Sequence, residues 1–244
     1  MSVCYPEAVV AYARSQKGTK EGPNNWNPYA KELDAVGYFN PMRKQNLPWC
    51  CTYVDDCVYN GCGKDKAKAQ EVLYQPSYDN LSAVVKYLAD YFKKAGAWTE
   101  NPDEVEIGDV VCFNAVNDKG QVTSTYTHTG LVIDRDERGI TTSEGNRWDK
   151  VSECQYLFTS IGTKIAGFGK PKYDKKPSPE PQPTLDPKQY TVKVNSFLSL
   201  RTGPDTSFKE MGRMYNGAVV TAVEESGNWI RISGELWCSK TYLK

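Results

Sequence analysis

Histidine is almost absent from this chain, because His128 is the only one among 244 residues. An excess of either charge is also missing, since 30 basic residues balance 30 acidic ones, and this argues against broad electrostatic binding to nucleic acid. No apolar run approaches the roughly 20 residues that a membrane-spanning helix needs. Residues 1–7 lack the basic start and the long apolar stretch of a secretory signal. We therefore expect a protein that is made in the cytoplasm and binds neither nucleic acid nor membrane.

Cysteine is more frequent than histidine, with eight residues. The missing secretory signal predicts that these thiols stay reduced, and the adjacent Cys50 and Cys51 cannot bridge each other without strain. A structural zinc site is disfavoured because the paired C-x-x-C spacing is missing from Cys50, Cys51, Cys57 and Cys62. The remaining cysteines are expected to pack as small apolar side chains: Cys4, Cys112, Cys154 and Cys238.

Proline divides the chain into two domains. Prolines at 171, 177, 179, 181, 183 and 187 favour an extended linker over residues 171–188. Before it, residues 1–170 show helical patterns followed by strand patterns, which predicts an α+β domain with a largely antiparallel sheet. After it, residues 189–244 contain short strand patterns separated by turn residues, which predicts a small all-β barrel.

The helices and strands of the first domain follow from periodicity and stop signals. Helices are predicted at 6–14, 50–59 and 79–95, the second with Cys50, Tyr53, Val54 and Cys57 on one face. Strands are predicted at 108–114, 125–134, 140–144 and 161–168. In the second domain we expect strands at 190–194, 197–201, 218–224, 229–232 and 236–238.

Three separate segments carry residue types suited to nucleophilic catalysis. Cys50 begins the predicted helix at 50–59, where the helix dipole and free amides would stabilise a thiolate and later an oxyanion. His128 is the only imidazole available as its base. Glu144 lies on the next strand and could orient the imidazole, with Asn146 as a second candidate for that role. Cys51 is a weaker candidate than Cys50 for the nucleophile. A second hypothesis, in which all these residues have only packing roles, stays open.

These segments resemble the CHAP family of cysteine, histidine-dependent amidohydrolases/peptidases, which belongs to the papain-like group of NlpC type. The matching stretches are Pro48-Trp49-Cys50-Cys51-Thr52-Tyr53-Val54, Ile107-Gly108-Asp109-Val110-Val111-Cys112-Phe113, His128-Thr129-Gly130-Leu131-Val132 and Glu144-Gly145-Asn146. Their order and approximate spacing agree over about residues 5–170. The resemblance implies a papain-like fold for this domain. It also implies Cys50 as nucleophile, His128 as general base, Glu144 as its orienting partner and Asn146 as an assisting residue, with the Cys50 and Cys51 amides as oxyanion donors.

The C-terminal segment resembles a bacterial SH3 (SH3b) domain. The resemblance rests on residues 197–208, on the hairpin pattern of residues 224–232 and on Trp237-Cys238-Ser239. Modules of this kind are similar to the wall-binding domains of peptidoglycan hydrolases. No wall-binding residue is assigned, because several aromatic residues fit either a core or a ligand role: Tyr190, Phe208, Tyr215, Trp229 and Trp237.

Together the two resemblances imply a phage endolysin type of enzyme. Such a protein would act as a monomer on the peptidoglycan of Gram-positive walls after a holin opens the membrane, and would cut an amide bond through a thioester. An amidase that cuts the bond to L-alanine is slightly favoured over an endopeptidase. Two alternatives remain, a wall-binding protein with a decayed catalytic domain and a bacterial autolysin.

A required metal or other cofactor is not expected. Some CHAP domains resemble metal-binding proteins near their N-termini, which raises calcium as a possibility. Here Asn24, Asn25 and Asn27 supply only neutral oxygens, and these make a poor cage for a hard dication.

Overall fold

We describe the protein from a computed structural model, which defines residues 2–175, 188–232 and 236–244. The chain divides into two compact units, Met1–Lys176 and Pro177–Lys244. In the described ranges, no helix has both the length and the apolar character that crossing a bilayer requires.

The N-terminal unit places its helices before its main sheet. The helices are α1 (Pro6–Ser15), α2 (Pro28–Ala35), α3 (Cys50–Gly61), α4 (Lys66–Val72) and α5 (Val85–Lys94). The strands are β1 (Trp98–Thr99), β2 (Val110–Val116), β3 (Val122–Arg135), β4 (Gly139–Glu144), β5 (Ser152–Leu157) and β6 (Ile165–Gly169). They pair in the order β1-β6-β2-β3-β4-β5, and every pair is antiparallel. The expected mixture of helices and an antiparallel sheet is confirmed, while the papain-like fold stays a prediction.

Helix α3 lies at the centre of the helical layer. Every residue from Cys51 to Tyr59 is buried, so the helix is covered on all sides and not only on the face predicted from its apolar residues. It packs with α1 and with the sheet residues Val110, Cys112, Leu131 and Ile133. The opposite face of the sheet carries a separate apolar cluster around Phe113, Ile140, Tyr156 and Phe168.

The start of α5 differs from the prediction, which placed it at Asp79. Asp79 has a left-handed φ of 51°, and the amide of Ser82 donates to Asn80 Oδ1 at 3.0 Å. The amide of Leu81 donates to the Tyr91 hydroxyl at 3.1 Å. Such local side-chain bonds compete with helical ones, and the helix therefore begins only at Val85.

The expectation of eight reduced thiols is wrong for one pair. Cys4 and Cys62 form a disulfide between the segment before α1 and the end of α3, with their Cα atoms 4.4 Å apart. Cys4 is therefore not a free packing residue. Cys112 and Cys238 are free and buried, and Cys154 is free and half-buried.

The predicted linker at 171–188 lies mostly outside the described residues, but its first residues pack on the N-terminal unit. The amide of Lys172 donates to Val72 O at 2.8 Å, and the Tyr173 hydroxyl donates to Gly108 O at 2.9 Å. Asp174 accepts from the amide of Cys4 at 2.6 Å. These contacts extend the N-terminal unit beyond residue 170.

The C-terminal unit is built from short strands. They are β7 (Lys188–Thr191), β8 (Leu198–Arg201), β9 (Glu210–Met214), β10 (Val219–Ser226), β11 (Trp229–Ile232) and β12 (Leu236–Ser239), paired antiparallel in the order β7-β10-β11-β12-β8-β9. Strand β9 was not predicted, because its five residues include one glycine and two charged residues. A small apolar core lies beneath them: Val192, Leu198, Val220, Ala222, Ile230 and Cys238.

Candidate active site

The N-terminus of α3 is fixed by the residues on either side of Cys50. Trp49 is buried, and its Nε1 donates to Glu21 Oε2 at 2.7 Å. Tyr53, one turn further along, shares a 2.7 Å hydrogen bond with Ser143 Oγ on β4 and donates to Ala13 O at 3.1 Å. The helix that begins at Cys50 is thus tied directly to the strand that ends at Glu144.

His128 and Glu144 lie on the neighbouring strands β3 and β4, and their side chains meet. His128 Nε2 is 2.9 Å from Glu144 Oε2. Gly130 makes this possible, since a Cβ at that position would lie 2.7 Å from Glu144 Cγ. Gly145 has a similar role, because its Cβ would lie 2.4 Å from Tyr53 Cβ. The glycines beside His128 and Glu144 therefore serve close packing.

Glu144 is a buried carboxylate with several donors around it. Thr142 Oγ1 donates to its Oε1 at 2.6 Å, and the Tyr156 hydroxyl makes a smaller contribution that also lowers the pKa of Glu144. Burial alone would raise the pKa of Glu144, but the hydrogen bonds from His128 and Thr142 outweigh it and the pKa is lowered. Glu144 is therefore ionised and can orient an imidazolium.

Cys50 and His128 interact, and each shifts the pKa of the other toward its charged form. Burial would lower the pKa of His128, yet its bonds to Cys50 and Glu144 raise the pKa to about 9. Because Nε2 faces Glu144, Nδ1 is the nitrogen left for the Cys50 thiol. The Phe113 ring stacks on the imidazole, with centroids 5.9 Å apart and planes 27° apart. This arrangement favours a thiolate–imidazolium pair.

The adjacent cysteines differ in their surroundings. Cys50 is half-buried, whereas Cys51 is fully buried. The pKa of Cys50 is held well below its usual range, first by a hydrogen bond from the Cys51 thiol, against burial, and then by His128. Burial raises the pKa of Cys51 well above its usual range. The geometry therefore favours Cys50 over Cys51 as the nucleophile.

The two predicted oxyanion donors lie in the first turn of α3. Within the described ranges, neither the amide of Cys50 nor that of Cys51 has a backbone acceptor, as expected at the start of a helix. The backbone of Cys51 also contributes to the lowered pKa of the Cys50 thiol. Both predicted donors are therefore free of backbone partners.

Asn146 does not join this network. It lies in the turn after β4 with a left-handed φ of 55°, and among residues 2–175 its side chain forms no hydrogen bond to His128 or Glu144. The assisting role predicted for Asn146 has no contact to support it. Sequence reasoning instead missed Thr142 and Tyr156. Alternation along β4 could have found Thr142, two residues before Glu144, whereas Tyr156 lies on β5, a strand that was not predicted.

The asparagines considered for calcium are used in local structure. Asn27 Oδ1 accepts from the amide of Ala30 at 2.8 Å and caps α2, while its Nδ2 donates to Asn25 O at 3.0 Å. In the part of the chain that the structure describes, no group of three or more His, Cys, Asp or Glu residues could hold a metal ion.

The C-terminal strands give the comparison that decides part of the fold. Residues 196–244 match the bacterial SH3 domain family. The second unit contains a bacterial SH3 domain. In this SH3 domain Trp237 is buried. Phe208 packs against Gly203, where an added Cβ would lie 2.5 Å from Phe208 Cδ1. Tyr215 is 65% exposed. It is therefore not a core residue, one of the two roles that the sequence had left open for it.

The remaining comparisons are less informative. No curated protein matches the chain. The solved structure "The crystal structure of Ly7917" is 14% identical, with 96% of this chain and 92% of that chain covered at a TM-score of 0.42. A second, "The crystal structure of Ly7917 with the hydrolyzing product of MDP", is 16% identical over the same shares at a TM-score of 0.38. Both TM-scores are low, so the likeness alone establishes neither the fold nor an activity.

Proposed function

We propose that the N-terminal unit is a cysteine hydrolase that cleaves an amide bond in bacterial peptidoglycan, and that the SH3 domain holds it on the wall. The observation that carries the proposal is the chain of contacts from Cys50 through His128 to Glu144, with Nε2 and Oε2 at 2.9 Å. The order of the CHAP-like motifs supports the choice of reaction, and the bacterial SH3 domain supports the choice of substrate.

In the first half of the reaction the Cys50 thiolate attacks the amide carbonyl carbon. A C–S bond forms, the carbonyl oxygen takes up the negative charge, and the amides of Cys50 and Cys51 donate to it. When the tetrahedral intermediate collapses, the C–N bond breaks and the imidazolium of His128 gives its proton to the leaving amine. The products are a thioester on Cys50 and a free amine.

In the second half His128, now neutral, removes a proton from water. The water oxygen attacks the thioester carbon, the C–S bond breaks, and the electron pair returns to the Cys50 sulfur. Glu144 stabilises the imidazolium each time it forms and keeps Nδ1 directed at the sulfur. Thr142 and Tyr156 act on the reaction only through Glu144.

The bond that is cut defines the type of enzyme. On the CHAP resemblance we favour the amide bond between the lactyl group of the sugar and L-alanine, which makes the protein an amidase, over a peptide bond of the stem or cross-bridge. We place its action, as a monomer, at the wall of a Gram-positive bacterium after release from the cytoplasm of a phage-infected cell. Binding of the SH3 domain would raise the local concentration of the enzyme on its polymer.

The test is mass spectrometry of fragments released from purified Gram-positive peptidoglycan. The wild type is compared with Cys50→Ala, and Cys51→Ala is the matched control at the adjacent position. We expect release by the wild type and by Cys51→Ala but not by Cys50→Ala. A new free L-alanine amine identifies the amidase, and other new termini identify an endopeptidase.

Two outcomes would contradict the proposal. Release by Cys50→Ala at the wild-type rate would exclude Cys50 as the nucleophile. No release by the wild type from several wall types, together with retained binding to those walls, would favour a wall-binding protein without catalytic activity.

A further inference from the structure

Next to the strand that carries His128, a lysine is clamped by two aromatic rings. Lys93, in the last turn of α5, has its Nζ 4.6 Å from the centroid of Trp98 and 4.8 Å from that of Tyr126. The ammonium also donates to the Tyr126 hydroxyl. The two rings meet edge to face at 6.3 Å. Cation–π contacts of this kind attract the ammonium to the faces of both rings.

Lys93 has no acidic partner among the described residues. Over residues 2–175, 188–232 and 236–244, no acidic side chain forms an ion pair with it. An ammonium has three N–H donors, and the Tyr126 hydroxyl accepts from one of them. The clamp therefore presents a positive charge with further N–H donors.

The backbone around Tyr126 is unusual. Tyr126 has a left-handed φ of 53°, which is rare for a bulky side chain. Its amide donates to Asn114 Oδ1 at 3.3 Å, and the β2–β3 register shifts at this point. Strained residues of this kind concentrate at functional sites, and this one lies two residues before His128.

Cys112 links the clamp to the strand of His128. It pairs with Thr129 on β3 and with Gly167 on β6. The Trp98 ring covers Gly167, where a Cβ would lie 2.5 Å from Trp98 Cζ2. The pKa of Cys112 is raised to about 12, chiefly by burial, which outweighs the bond to Thr129; the charge of Cys50 adds to the rise and the charge of Lys93 opposes it. Cys50 and the clamp therefore both act on Cys112, which belongs to the apolar cluster that faces the helices.

We propose that Lys93, held by Trp98 and Tyr126, binds a carboxylate of the substrate's peptide next to the amide that Cys50 attacks. This inference rests on the proposed function, because peptidoglycan stems carry such carboxylates. Lys93 contributes to the choice of substrate and takes no part in bond breaking.

The test measures binding without cleavage, in the Cys50→Ala background. The ligands are soluble muropeptides in which one stem carboxyl at a time is either free or a carboxamide, and calorimetry gives the Kd of each. Lys93→Met is compared with Lys94→Met, the exposed next residue of α5, and with Lys93→Arg, which keeps the charge.

For one stem carboxyl, Lys93→Met should weaken binding of the free acid about 10-fold, the size of one charge-assisted hydrogen bond, and leave the carboxamide unchanged. Lys94→Met should match the unsubstituted protein, and Lys93→Arg should recover most of the affinity. Thermal melting shows whether each variant is folded.

Three results would overturn the inference. Lys93→Met could change the Kd of the free acid and of the carboxamide equally, it could change neither Kd, or no muropeptide could bind. The proposed function fails separately, when the wild type releases no fragment from walls. Preferential binding of free acids through Lys93 would then still stand, on a protein that does not cleave.

Discussion

The two units of this protein differ in how often a non-glycine residue has a left-handed backbone conformation. Among the described residues, every non-glycine residue with a positive φ lies between Asn24 and Asp149, in the N-terminal unit. In the SH3 domain the positive φ values belong to Gly217 and Gly227, which occupy turns where glycine is the expected residue.

Burial of polar groups shows the same contrast. The N-terminal unit buries ionisable side chains, including Asp55, Asp56 and Glu144, whereas the buried residues of the described SH3 domain are apolar or glycine. Buried ionisable groups and strained backbone both cost stability and persist where function or a full set of partners retains them. This difference supports the proposal that catalysis belongs to the first unit, while the described part of the second unit has an apolar core.

The largest expected effect is on the charge that orients His128. Glu144→Gln keeps the shape of the side chain but removes the charge that stabilises the imidazolium. We expect kcat/KM on a soluble muropeptide to fall about 100-fold or more, within the range for general acid–base groups. Glu153→Gln, on the neighbouring strand β5 and paired with Lys17 at the surface, is the control. Equal activity of the two variants would contradict the expectation that the buried carboxylate matters more for activity than the surface carboxylate.

Removal of the SH3 domain should have a smaller effect, confined to one substrate. A chain ending at residue 176 should lose about 10- to 100-fold of its activity on intact walls through lost tethering, and should keep its activity on a soluble muropeptide. A chain ending at 170 also loses the contacts of Lys172, Tyr173 and Asp174, and should melt at a lower temperature. Equal loss on both substrates by the longer chain would contradict a tethering role.

Buried acids also predict how stability depends on pH. Burial raises the pKa of Asp56 to about 8, so the folded state holds a proton that the unfolded state releases above about pH 4. The contribution of Asp56 to the free energy of unfolding is therefore full below that pH and is lost as the pH rises through 8. Asp56→Asn should remove on the order of 4 kcal/mol of the change in the free energy of unfolding between pH 5 and pH 8.

Hydrogen exchange of the α3 amides at pH 5 and pH 8, corrected for intrinsic rates, measures this change. Asp118→Asn, in an exposed loop, is the control. A pH dependence that is the same in the wild type and in both variants would exclude a proton on Asp56.

The smallest expected effect comes from Arg147. Its Nε lies 3.7 Å from Glu144 Oε2, the oxygen that faces His128, so its charge opposes the imidazolium. Arg147→Met should raise the pKa of His128 and move the alkaline limb of the pH profile of kcat/KM, which we expect near pH 9, upward by about half a unit. Arg147→Lys should stay close to the wild type. A downward shift in Arg147→Met would show that Arg147 does not act through Glu144.

The same contrast explains what the sequence could and could not predict. Most SH3 strands were predicted because their turns are marked by glycine, asparagine and proline, as at Asn216-Gly217. The strand bearing His128 and the start of α3 at Cys50 follow from periodicity and branched residues. By contrast, α2 and α4 were missed because they are short, at Pro28–Ala35 and Lys66–Val72, and their caps lie among other polar residues.

Contacts between distant segments were beyond sequence reasoning. The Cys4–Cys62 disulfide joins residues 58 positions apart, and the clamp of Lys93 joins a helix end to two strands. The buried network of Asp55 with Gln75 and Ser82 depends on a loop whose path no local pattern fixes. Only packing in three dimensions creates such contacts.

The central claim is that Cys50 rests as a thiolate paired with the His128 imidazolium. Alkylation by iodoacetamide, followed over pH and mapped by peptide mass spectrometry, tests it most directly, because only thiolates react. We predict that Cys50 is modified first, at a rate that stays high well below the usual cysteine pKa of about 8.5, and that His128→Ala loses this reactivity at low pH. Modification of Cys51 first, or a Cys50 rate that rises only near pH 8.5, would contradict the claim.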